Sequence, residues 1–448
     1  MHIYLMLNRI TETFGILAVI VFAIYESVLG LLQVLRIESS GHSIFLLTGS
    51  CDNPGPYGGI LAILAAILFA YYYINRNTKN RIISFLSIVS LSTAYMAIVL
   101  LPATMSRAAW LSLAIAMLVL GIKELALKEW FRENYKRKLI SFCLIVVLLL
   151  LIFLLKMPSA IGRLHIWHME IRAIAEKPIS GHGVGSTLGV YGETQARYFA
   201  EKERNPMIVQ VAGCPEYAFN EYLKIGIEYG IPVMIAVILC IFVAIISLLK
   251  GRSPFAYGLI ALAIFSWFSY PSSLLDRQNN AEKEWSRIRH YVSLGLYEDF
   301  INSADPLYDD MEGNYRYLYD YGYSLYKCDR FEESLEILKQ GAKLSSDPMF
   351  YNIIGRNYEA LGKFADAENA YLHAHYMVPQ RLYPLVRIMR MYIRGGNNDQ
   401  ALKYAQEIIE MPINENHKLM QDLRNEAHYC LDSLRLIYTE NTYARKIN

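Results

Sequence analysis

Two arginines lie beside apolar runs that approach the length needed to cross a bilayer. Arg107, in ATMSRAAW, directly precedes the apolar run 108–122, and Arg163 follows the run 139–155. A guanidinium stays charged and binds phosphate oxygens through its planar fork. Two such groups at a membrane surface therefore favour binding of a pyrophosphate, and they would stabilise its charge as it departs, as a metal ion otherwise does. Taken alone, Arg107 would equally well anchor one helix end at the membrane surface.

The segment GRLHIWHMEIRAIAEKPISGHGVGS, residues 162–186, predicts a helix followed by a tight turn. Four of its residues recur at helical spacing: Arg163, Trp167, Glu170 and Ile174. Pro178 then ends the helix. Glycines follow, and a backbone without Cβ atoms can approach a ligand closely. We therefore expect substrate contacts in this segment from four residues: Trp167, Gly181, Gly183 and Gly185.

A third motif, PEYAFNEYLKIGIEYGIP at residues 215–232, predicts a helix that enters the next apolar run. Asn220 and Glu221 are its polar residues closest to the start of that helix. We expect Asn220 to contact substrate.

The composition indicates that these motifs belong to a membrane protein. Hydrophobic residues make up 54% of the 448 residues and charged residues only 19%, whereas a soluble chain usually has about a quarter charged residues. Seven apolar runs reach or approach the roughly 20 residues of a membrane-spanning helix. They lie at about 14–35, 59–74, 82–101, 108–122, 139–155, 231–249 and 255–270. Backbone groups in lipid must pair within their own segment, so each run is expected to be helical.

Basic residues in the connections predict how these runs are oriented. Lysine and arginine are concentrated after the second, fourth and sixth runs, whereas residues 37–58 contain neither. The N-terminus is therefore predicted to be cytoplasmic, and the segment 157–230 and the C-terminal part are predicted to lie outside. The first run also contains Glu26 and Gln33, and Glu26 is either functional or placed near a helix end.

The C-terminal part contains a repeat. Small or apolar residues recur at spacings of 34, 33 and 34 residues: Phe300, Ser334, Ala367 and Ala401. Turn residues precede them at the same spacings: Gly295, Asp329, Gly362 and Gly396. The pattern resembles the tetratricopeptide repeat, a helix–turn–helix unit of about 34 residues. Three copies at about 314–414, with a partial copy before them, are enough for a shared solenoid core.

The sequence thus predicts an all-α protein with two domains. Residues 1–275 form a polytopic transmembrane helical bundle of about seven spans with a large external loop at 157–230. Residues 276–448 form an α-solenoid of tetratricopeptide type. The concave face of the solenoid would suit a peptide or protein partner, although core and groove packing would equally explain its many tyrosines.

Other classes of function have little support in the sequence. A net charge of +2 does not suggest a nucleic-acid partner. No Cys-x-x-Cys pair, His-Glu-x-x-His motif or Cys/His cluster suggests zinc, and neither a P-loop nor a Gly-x-Ser-x-Gly motif occurs. Cys143 and Cys240 lie in apolar runs and are expected to be packing residues. Cys51 and Cys214 both fall on the outer side of the predicted topology, where a disulfide would be chemically allowed.

Four blocks in the region 40–270 resemble the O-antigen ligase and polymerase family of bacterial membrane glycosyltransferases, in the branch with a tetratricopeptide tail. The blocks are TGSCDNPGPYGG, the Ser-Arg of ATMSRAAW, R-x-x-x-W followed by P-x-x-G-x-G-x-G, and AFNEYLKIGIEYGIP. The resemblance implies transfer of a glycan from undecaprenyl pyrophosphate to a lipid or protein acceptor at the outer face of the bacterial inner membrane. It implies no cofactor, neither a metal nor a nucleotide sugar. It also implies that Arg107 and Arg163 bind the pyrophosphate.

The chain departs from this family pattern in one residue. Many ligases have a histidine directly before the asparagine of the third block, and this chain has Phe219 there. Phenylalanine cannot transfer a proton, so a general base must come from elsewhere, within about 3 Å of the acceptor hydroxyl. Glu221 is the nearest candidate and His182 the next. Glu221 could instead cap a helix or form an ion pair, and His182 could instead brace the glycine turn.

Three functions therefore remain open. The first is a ligase that moves a whole glycan to a lipid core or a protein hydroxyl. The second is a polymerase that joins lipid-linked repeat units. The third is a non-catalytic membrane-anchored repeat scaffold, which Phe219 favours. Because family members commonly have ten or more spans, the chain is also expected to begin at what is a middle span of its relatives.

Overall fold

The computed structural model describes residues 2–42, 44–124, 157–201, 205–271, 280–412 and 417–447. Every regular element in these ranges is a helix, so the predicted all-α class is confirmed. The described chain forms two compact units. The first contains residues 1–157, 218–226 and 231–277, and the second contains residues 158–217, 227–230 and 278–448.

The first unit is built from long apolar helices. They are α1 (His2–Val34), α2 (Pro54–Asn75), α3 (Arg81–Leu100), α4 (Arg107–Glu124), α9 (Ile231–Lys250) and α10 (Phe255–Phe268). Four segments are long and apolar enough to cross a membrane: Thr11–Val34, Pro54–Asn75, Arg81–Thr104 and Ile231–Lys250. Helix α10 is apolar but has only 14 residues.

The remaining predicted spans have different outcomes. Helix α4 has 18 residues and is not among the four candidate spans, since it carries Arg107, Lys123 and Glu124. The run at 139–155, with Cys143, lies outside the described residues. Four of the seven predicted spans are therefore matched by helices long enough to cross a bilayer.

Helix α2 is the centre of the first unit and contacts α1, α3, α4 and α10. Its small side chains allow this close packing. Ala62, Ala65 and Ala66 have no exposed surface. A Cβ atom added at Gly59 would lie 2.4 Å from the ring of Phe265 in α10, closer than carbon atoms can pack.

Two buried polar residues of α1, Glu26 and Gln33, bind the loop that precedes α2. The amide of Gln33 accepts the N–H groups of Thr48 and Gly49, at 3.0 and 2.8 Å. The carboxylate of Glu26, which has no exposed surface, accepts the N–H of Ser50 at 3.2 Å. Glu26 and Gln33 therefore anchor the loop, and this contact explains why polar side chains lie in an apolar helix.

The second unit contains the external segment and the repeats. The external segment forms α5 (Met157–Glu176), α6 (Thr187–Glu201) and α7 (Pro206–Val211). The next helix, α8 (Glu221–Tyr229), begins in the first unit, and its last residues belong to the second. Four short helices come next: α11 (Asn280–Ile288), α12 (His290–Leu294), α13 (Tyr297–Ala304) and α14 (Tyr308–Met311). The repeats are α15 (Tyr315–Lys327), α16 (Phe331–Ala342), α17 (Met349–Ala360), α18 (Phe364–Met377), α19 (Tyr383–Arg394) and α20 (Asn398–Glu410), and α21 (Lys418–Ile447) ends the chain.

The predicted helical repeat is confirmed by these pairs. Helices α15, α17 and α19 begin at residues 315, 349 and 383, so each first helix starts 34 residues after the last. Asp329 and Gly362 end the first helices of two pairs with φ of 59° and 72°, the left-handed conformation that reverses the chain. At Gly355 a Cβ atom would lie 2.6 Å from the ring of Tyr371, so the paired helices cross where no side chain intervenes.

The two units group the external segment with the repeats, which the sequence division did not anticipate. Residues 158–217 belong to the same compact unit as residues 278–448. The division into domains 1–275 and 276–448 stays a prediction. Its boundary at 275 falls within residues 272–279, outside the described residues.

Candidate functional site

Arg107 is positioned by a tight turn between α3 and α4. A 3-10 helix at Leu101–Thr104 is followed by Met105, whose φ of 53° reverses the chain. The hydroxyl of Thr104 accepts the N–H of Ser106 at 3.2 Å, and the indole of Trp110 donates to the carbonyl of Leu101 at 3.0 Å. Arg107 is then the half-buried first residue of α4. Its backbone position is therefore fixed on both sides.

The first sequence block, TGSCDNPGPYGG, supports this turn. Asn53 caps α2 by accepting the N–H of Gly55 at 2.9 Å. The carbonyl of Gly55 accepts the Ser106 hydroxyl at 3.4 Å. At Gly58 a Cβ atom would lie 2.8 Å from atoms of both Thr104 and Ser106. The glycines of this block therefore let α2 contact the turn that presents Arg107.

The third motif begins with a helix cap. The amide oxygen of Asn220, which is 2% exposed, accepts the N–H groups of Tyr222 and Leu223 at 3.0 and 3.1 Å. Glu221 is the half-buried first residue of α8, where the helix dipole favours a carboxylate. The structure thus gives Asn220 a capping role beside its predicted role in substrate contact.

Aromatic side chains hold this motif against α10. The hydroxyl of Tyr222 donates to the carbonyl of Ala263 at 3.0 Å, and its ring lies 5.2 Å from that of Trp267. Phe219, the residue that departs from the family pattern, packs edge-on against Tyr270 with ring centroids 5.5 Å apart. Phe219 therefore has a packing role.

Arg163 and Trp167 lie on α5 in the second unit, and both are half-buried. Glu170, one turn further along, is 1% exposed, and its Oε2 atom has no hydrogen-bond partner among the described residues. Burial raises the pKa of Glu170 to about 8. The carboxyl group is therefore largely protonated at neutral pH, which removes the cost of burying a charge.

The glycine turn packs against residues 227–230. The N–H of His182 donates to the carbonyl of Ile227 at 2.7 Å, and that of Gly183 donates to the carbonyl of Glu228 at 3.1 Å. Gly181 has a φ of 66°, and a Cβ atom there would lie 2.4 Å from the Glu228 carbonyl oxygen. Gly181 is therefore needed for backbone contact. A Cβ atom at Gly183 or Gly185 would meet no atom within 4 Å, but their φ values of 103° and 73° favour glycine.

His182 braces the turn and keeps one basic nitrogen. Its Nε2 lies 2.9 Å from the carbonyl oxygen of Ala173. A carbonyl oxygen can only accept, so Nε2 carries the hydrogen. In the neutral ring Nδ1 is then the nitrogen that could take a proton.

A buried amide links the external segment to the repeats. Gln195 on α6 is 1% exposed, and its Oε1 accepts the Tyr191 hydroxyl at 2.6 Å and faces His165 Nε2 at 2.9 Å. Its Nε2 donates to the carbonyls of Gly213 and Met377. Burial lowers the pKa of His165 and raises that of Tyr191, so both stay neutral near pH 7. The network is uncharged and its hydrogen bonds are well satisfied.

Helix α6 also contacts the repeats through glycine. A Cβ atom at Gly189 would lie 1.9 Å from the carbonyl oxygen of Lys343, and one at Gly192 would lie 2.7 Å from the side chain of Met377. Sequence reasoning missed this contact. Its signal was the pair of glycines three residues apart, which is costly in a helix interior unless another chain must come close.

Residues 212–216, here called the clamped segment, are held by the repeats. The side-chain amide of Gln380 donates to the carbonyl of Ala212 at 3.1 Å. The hydroxyl of Ser346 donates to the carbonyl of Pro215 at 2.8 Å. Arg316 pairs with the carboxylate of residue 216 at 3.1 Å. This ion pair is exposed and contributes little to stability. The two hydrogen bonds to backbone carbonyls therefore contribute most of the interaction with the repeats. Four residues further on, the chain reaches Asn220.

Five cysteines lie among the described residues, and each is a free thiol. Cys51 and Cys214 are both free thiols, so the disulfide that the predicted topology allowed is not formed in this structure. Burial raises the pKa of Cys214. Within the described ranges, no group of three or more histidine, cysteine, aspartate or glutamate side chains is placed to hold a metal ion.

The predicted site residues are divided between the two units. Arg107, Asn220 and Glu221 belong to the first unit. The second unit contains the others: Arg163, Trp167, Gly181, His182, Gly183 and Gly185. The predicted gathering of Arg107 and Arg163 at one pyrophosphate stays a prediction.

Residues 92–238 match the family model described as O-antigen ligase, which confirms the predicted resemblance. This chain is also similar to two solved structures, one of which carries a substitution. Both are described as nearly identical TPR-like repeats of a kinesin light chain from Podosopora anserina. Each is 14% identical and covers 37% of this chain, with a TM-score of 0.28, and 99% and 100% of those chains are covered. No curated protein sequence gives a significant match.

The buried Glu170 predicts a pH dependence of stability. Its pKa is about 8 in the folded chain, against about 4.3 when exposed. Protonation therefore stabilises the fold fully below the exposed value, and this stabilisation is lost as pH rises towards 8. Glu170→Gln cannot titrate. We expect the melting temperature of the purified wild-type protein to fall more steeply between pH 5 and 8 than that of Glu170→Gln.

Glu201→Gln is the matched control, since the Glu201 side chain is 63% exposed. Its pH profile should follow that of the wild type. Equal slopes for the wild type and Glu170→Gln would contradict the burial of a neutral carboxyl group.

Proposed function

We propose that this integral membrane protein, which carries an O-antigen ligase domain at residues 92–238, transfers a glycan from undecaprenyl pyrophosphate to an acceptor hydroxyl. The observation that carries the proposal is the family match, because its range contains every predicted site residue from Arg107 to Glu221. The family supports a ligase or polymerase role in general. The donor, the acceptor and the residue roles below belong to the proposal.

Arg107 and Arg163 would hold the pyrophosphate of the donor. Both are half-buried, so their guanidinium groups lie in a medium where charge interactions are stronger than in bulk water. When the bond between the anomeric carbon and the phosphate oxygen breaks, negative charge grows on that oxygen. Two fixed guanidinium groups would stabilise this charge without reorganising.

Glu221 would take the proton of the acceptor hydroxyl. As the acceptor oxygen bonds to the anomeric carbon, its proton must leave, and the electron pair of the broken bond stays with undecaprenyl pyrophosphate. Glu221 occupies the first turn of α8 directly after the Asn220 cap, a position fixed by two hydrogen bonds. His182 is the second candidate, through Nδ1.

The membrane orientation is part of this proposal. Basic residues in the connections favour a cytoplasmic N-terminus, which would place the external segment and the repeats in the periplasm of a bacterial inner membrane. The second unit supports a common location for these two parts, because the repeats bind the clamped segment by hydrogen bonds to carbonyls. A rigid external unit of this kind would suit a large acceptor, either a lipid core or a protein.

Arginine substitutions test the pyrophosphate role. We expect Arg107→Ala and Arg163→Ala each to lower glycan transfer by about a hundredfold or more, because each removes a charge-assisted bidentate contact. Lysine at either site should restore little of the glycan transfer, since its ammonium group lacks the planar fork of arginine. The measurement is surface glycan in a deletion strain complemented with each variant.

Arg330→Ala is the matched control, because Arg330 pairs with Glu333 on the surface of the repeats. Membrane levels of all variants are measured by immunoblot. Normal surface glycan with both Arg107→Ala and Arg163→Ala would remove the pyrophosphate assignment.

Glu221→Gln tests the general base. Glutamine keeps the shape and cannot accept the proton as a carboxylate does, so turnover should fall by about 10²–10⁴-fold. The rate is measured from pH 5 to 9 with lipid-linked glycan and purified protein. Glu216→Gln, which changes an exposed carboxylate five residues earlier, serves as the control. An unchanged rate for Glu221→Gln at every pH would exclude this role.

The pool of lipid-linked intermediates distinguishes the candidate functions. A ligase is expected to leave full-length undecaprenyl-linked glycan when its gene is deleted. A polymerase, the alternative within the same family, would leave single repeat units instead. An unchanged pool would favour the non-catalytic scaffold, which the aromatic packing of Phe219 in place of histidine supports. Chromatography and mass spectrometry of the extracted lipids measure the outcome.

A further inference from the structure

A small cavity of about 350 Å³ lies among the first helices of the repeats. Its lining comes from α15, α17 and α19, with Phe364 at the start of α18. Three lining side chains are arginines: Arg356, Arg387 and Arg394. We call this cavity the Arg356 pocket.

The charges of the Arg356 pocket are unbalanced. Glu359 is the one carboxylate among the lining residues, and its side chain is 8% exposed. It pairs with Arg387 at 2.9 Å and also with Arg394. Three positive charges against one negative charge leave an excess of two positive charges in the lining.

Arg356 carries the unpaired charge. Its Nε atom is buried without a hydrogen-bond partner, and among the described residues it makes no ion pair within 4.0 Å. Its guanidinium carbon lies 4.8 Å from the ring centre of Tyr326, a contact that orients the planar group. No carboxylate of the described residues balances the charge of Arg356, so an oxyanion entering the pocket would supply the missing negative charge.

A second cavity in the same unit differs, because its arginines are paired with carboxylates. It has about 550 Å³, and its two lining arginines each have a carboxylate partner. Arg289 pairs with Asp320 at 2.9 Å and Arg316 pairs with Glu216 at 3.1 Å. The excess of positive charge is therefore a property of the Arg356 pocket and does not apply to every cavity of the repeats.

We propose that the Arg356 pocket binds the carboxylate or phosphate substituent of an acidic sugar. We choose an oxyanion as the ligand because Arg356 is unpaired and the lining has an excess of positive charge. That the ligand is a sugar rests on the proposed glycan transfer, and the exposed ring of Phe364 in the lining suits a sugar ring. The repeats would thereby hold an acidic residue of the glycan or of its acceptor.

The test is calorimetric titration of the full-length protein in detergent. The probes are glucuronate, glucose 6-phosphate and neutral glucose. We expect at least one charged sugar to bind at least tenfold more tightly than glucose, and the stronger of the two identifies the natural substituent. Raising the salt concentration from 50 to 500 mM should weaken this binding, because screening reduces the attraction to excess charge.

Arg356→Gln should weaken binding of the charged sugar at least tenfold. Arg330→Gln removes the same charge from a surface ion pair outside the pocket and should bind as the wild type does. Circular dichroism and thermal melting report folding. If Arg356→Gln does not fold, Arg394→Gln replaces it, because the Arg394 side chain is 62% exposed.

Three results would overturn the proposal: equal binding of glucose and the charged sugars, no binding of either charged sugar, or unchanged binding by a folded pocket variant. Tenfold tighter binding of a hexaglutamate peptide than of both charged sugars would overturn the choice of a sugar. Binding is measured without turnover, so its failure is separate from a failure of glycan transfer, which the intermediate pools report.

Discussion

Close approach of one segment to the backbone of another, allowed where a residue has no Cβ atom, is the constraint on which each compact unit depends. In the first unit Gly58 brings α2 against the turn that presents Arg107. In the second, Gly181 lets the glycine turn meet residues 227–230, and Gly189 lets α6 meet the repeats. Any side chain at these positions would meet backbone or buried atoms, and a packed interior cannot absorb the displacement cheaply.

Polar groups buried within the second unit add specificity to this packing. Gln195 can satisfy its donors and acceptor only when α6, the clamped segment and α18 lie in one arrangement. Burial raises the pKa of Glu170 to about 8, so its carboxyl group is buried in the neutral form. Arg356 is different, because its guanidinium group keeps its charge and forms no ion pair with the described residues. A satisfied network stabilises one arrangement, whereas the unbalanced charge of Arg356 is the basis of the proposed ligand pocket.

Much of this arrangement was predictable from local pattern. The 34-residue period predicted the helix pairs, and Gly362 adopts the left-handed turn that its spacing indicated. The sequence did not show that Asn220 caps α8, since an asparagine before a glutamate suits a ligand contact equally well. It did not show that α6 contacts the repeats, because the partner residues of Gln195 lie up to 182 positions away along the chain.

The sequence by itself determined the helices, the membrane-spanning character and the repeat period, because these depend on periodicity and hydrophobicity within a few tens of residues. It also determined the family resemblance through ordered motifs. Tertiary structure alone decided which polar groups are satisfied, as for Glu26 with its loop, and which are not, as for Arg356. The physical reason is that burial and hydrogen bonding depend on residues distant in the chain, whose approach no local pattern records.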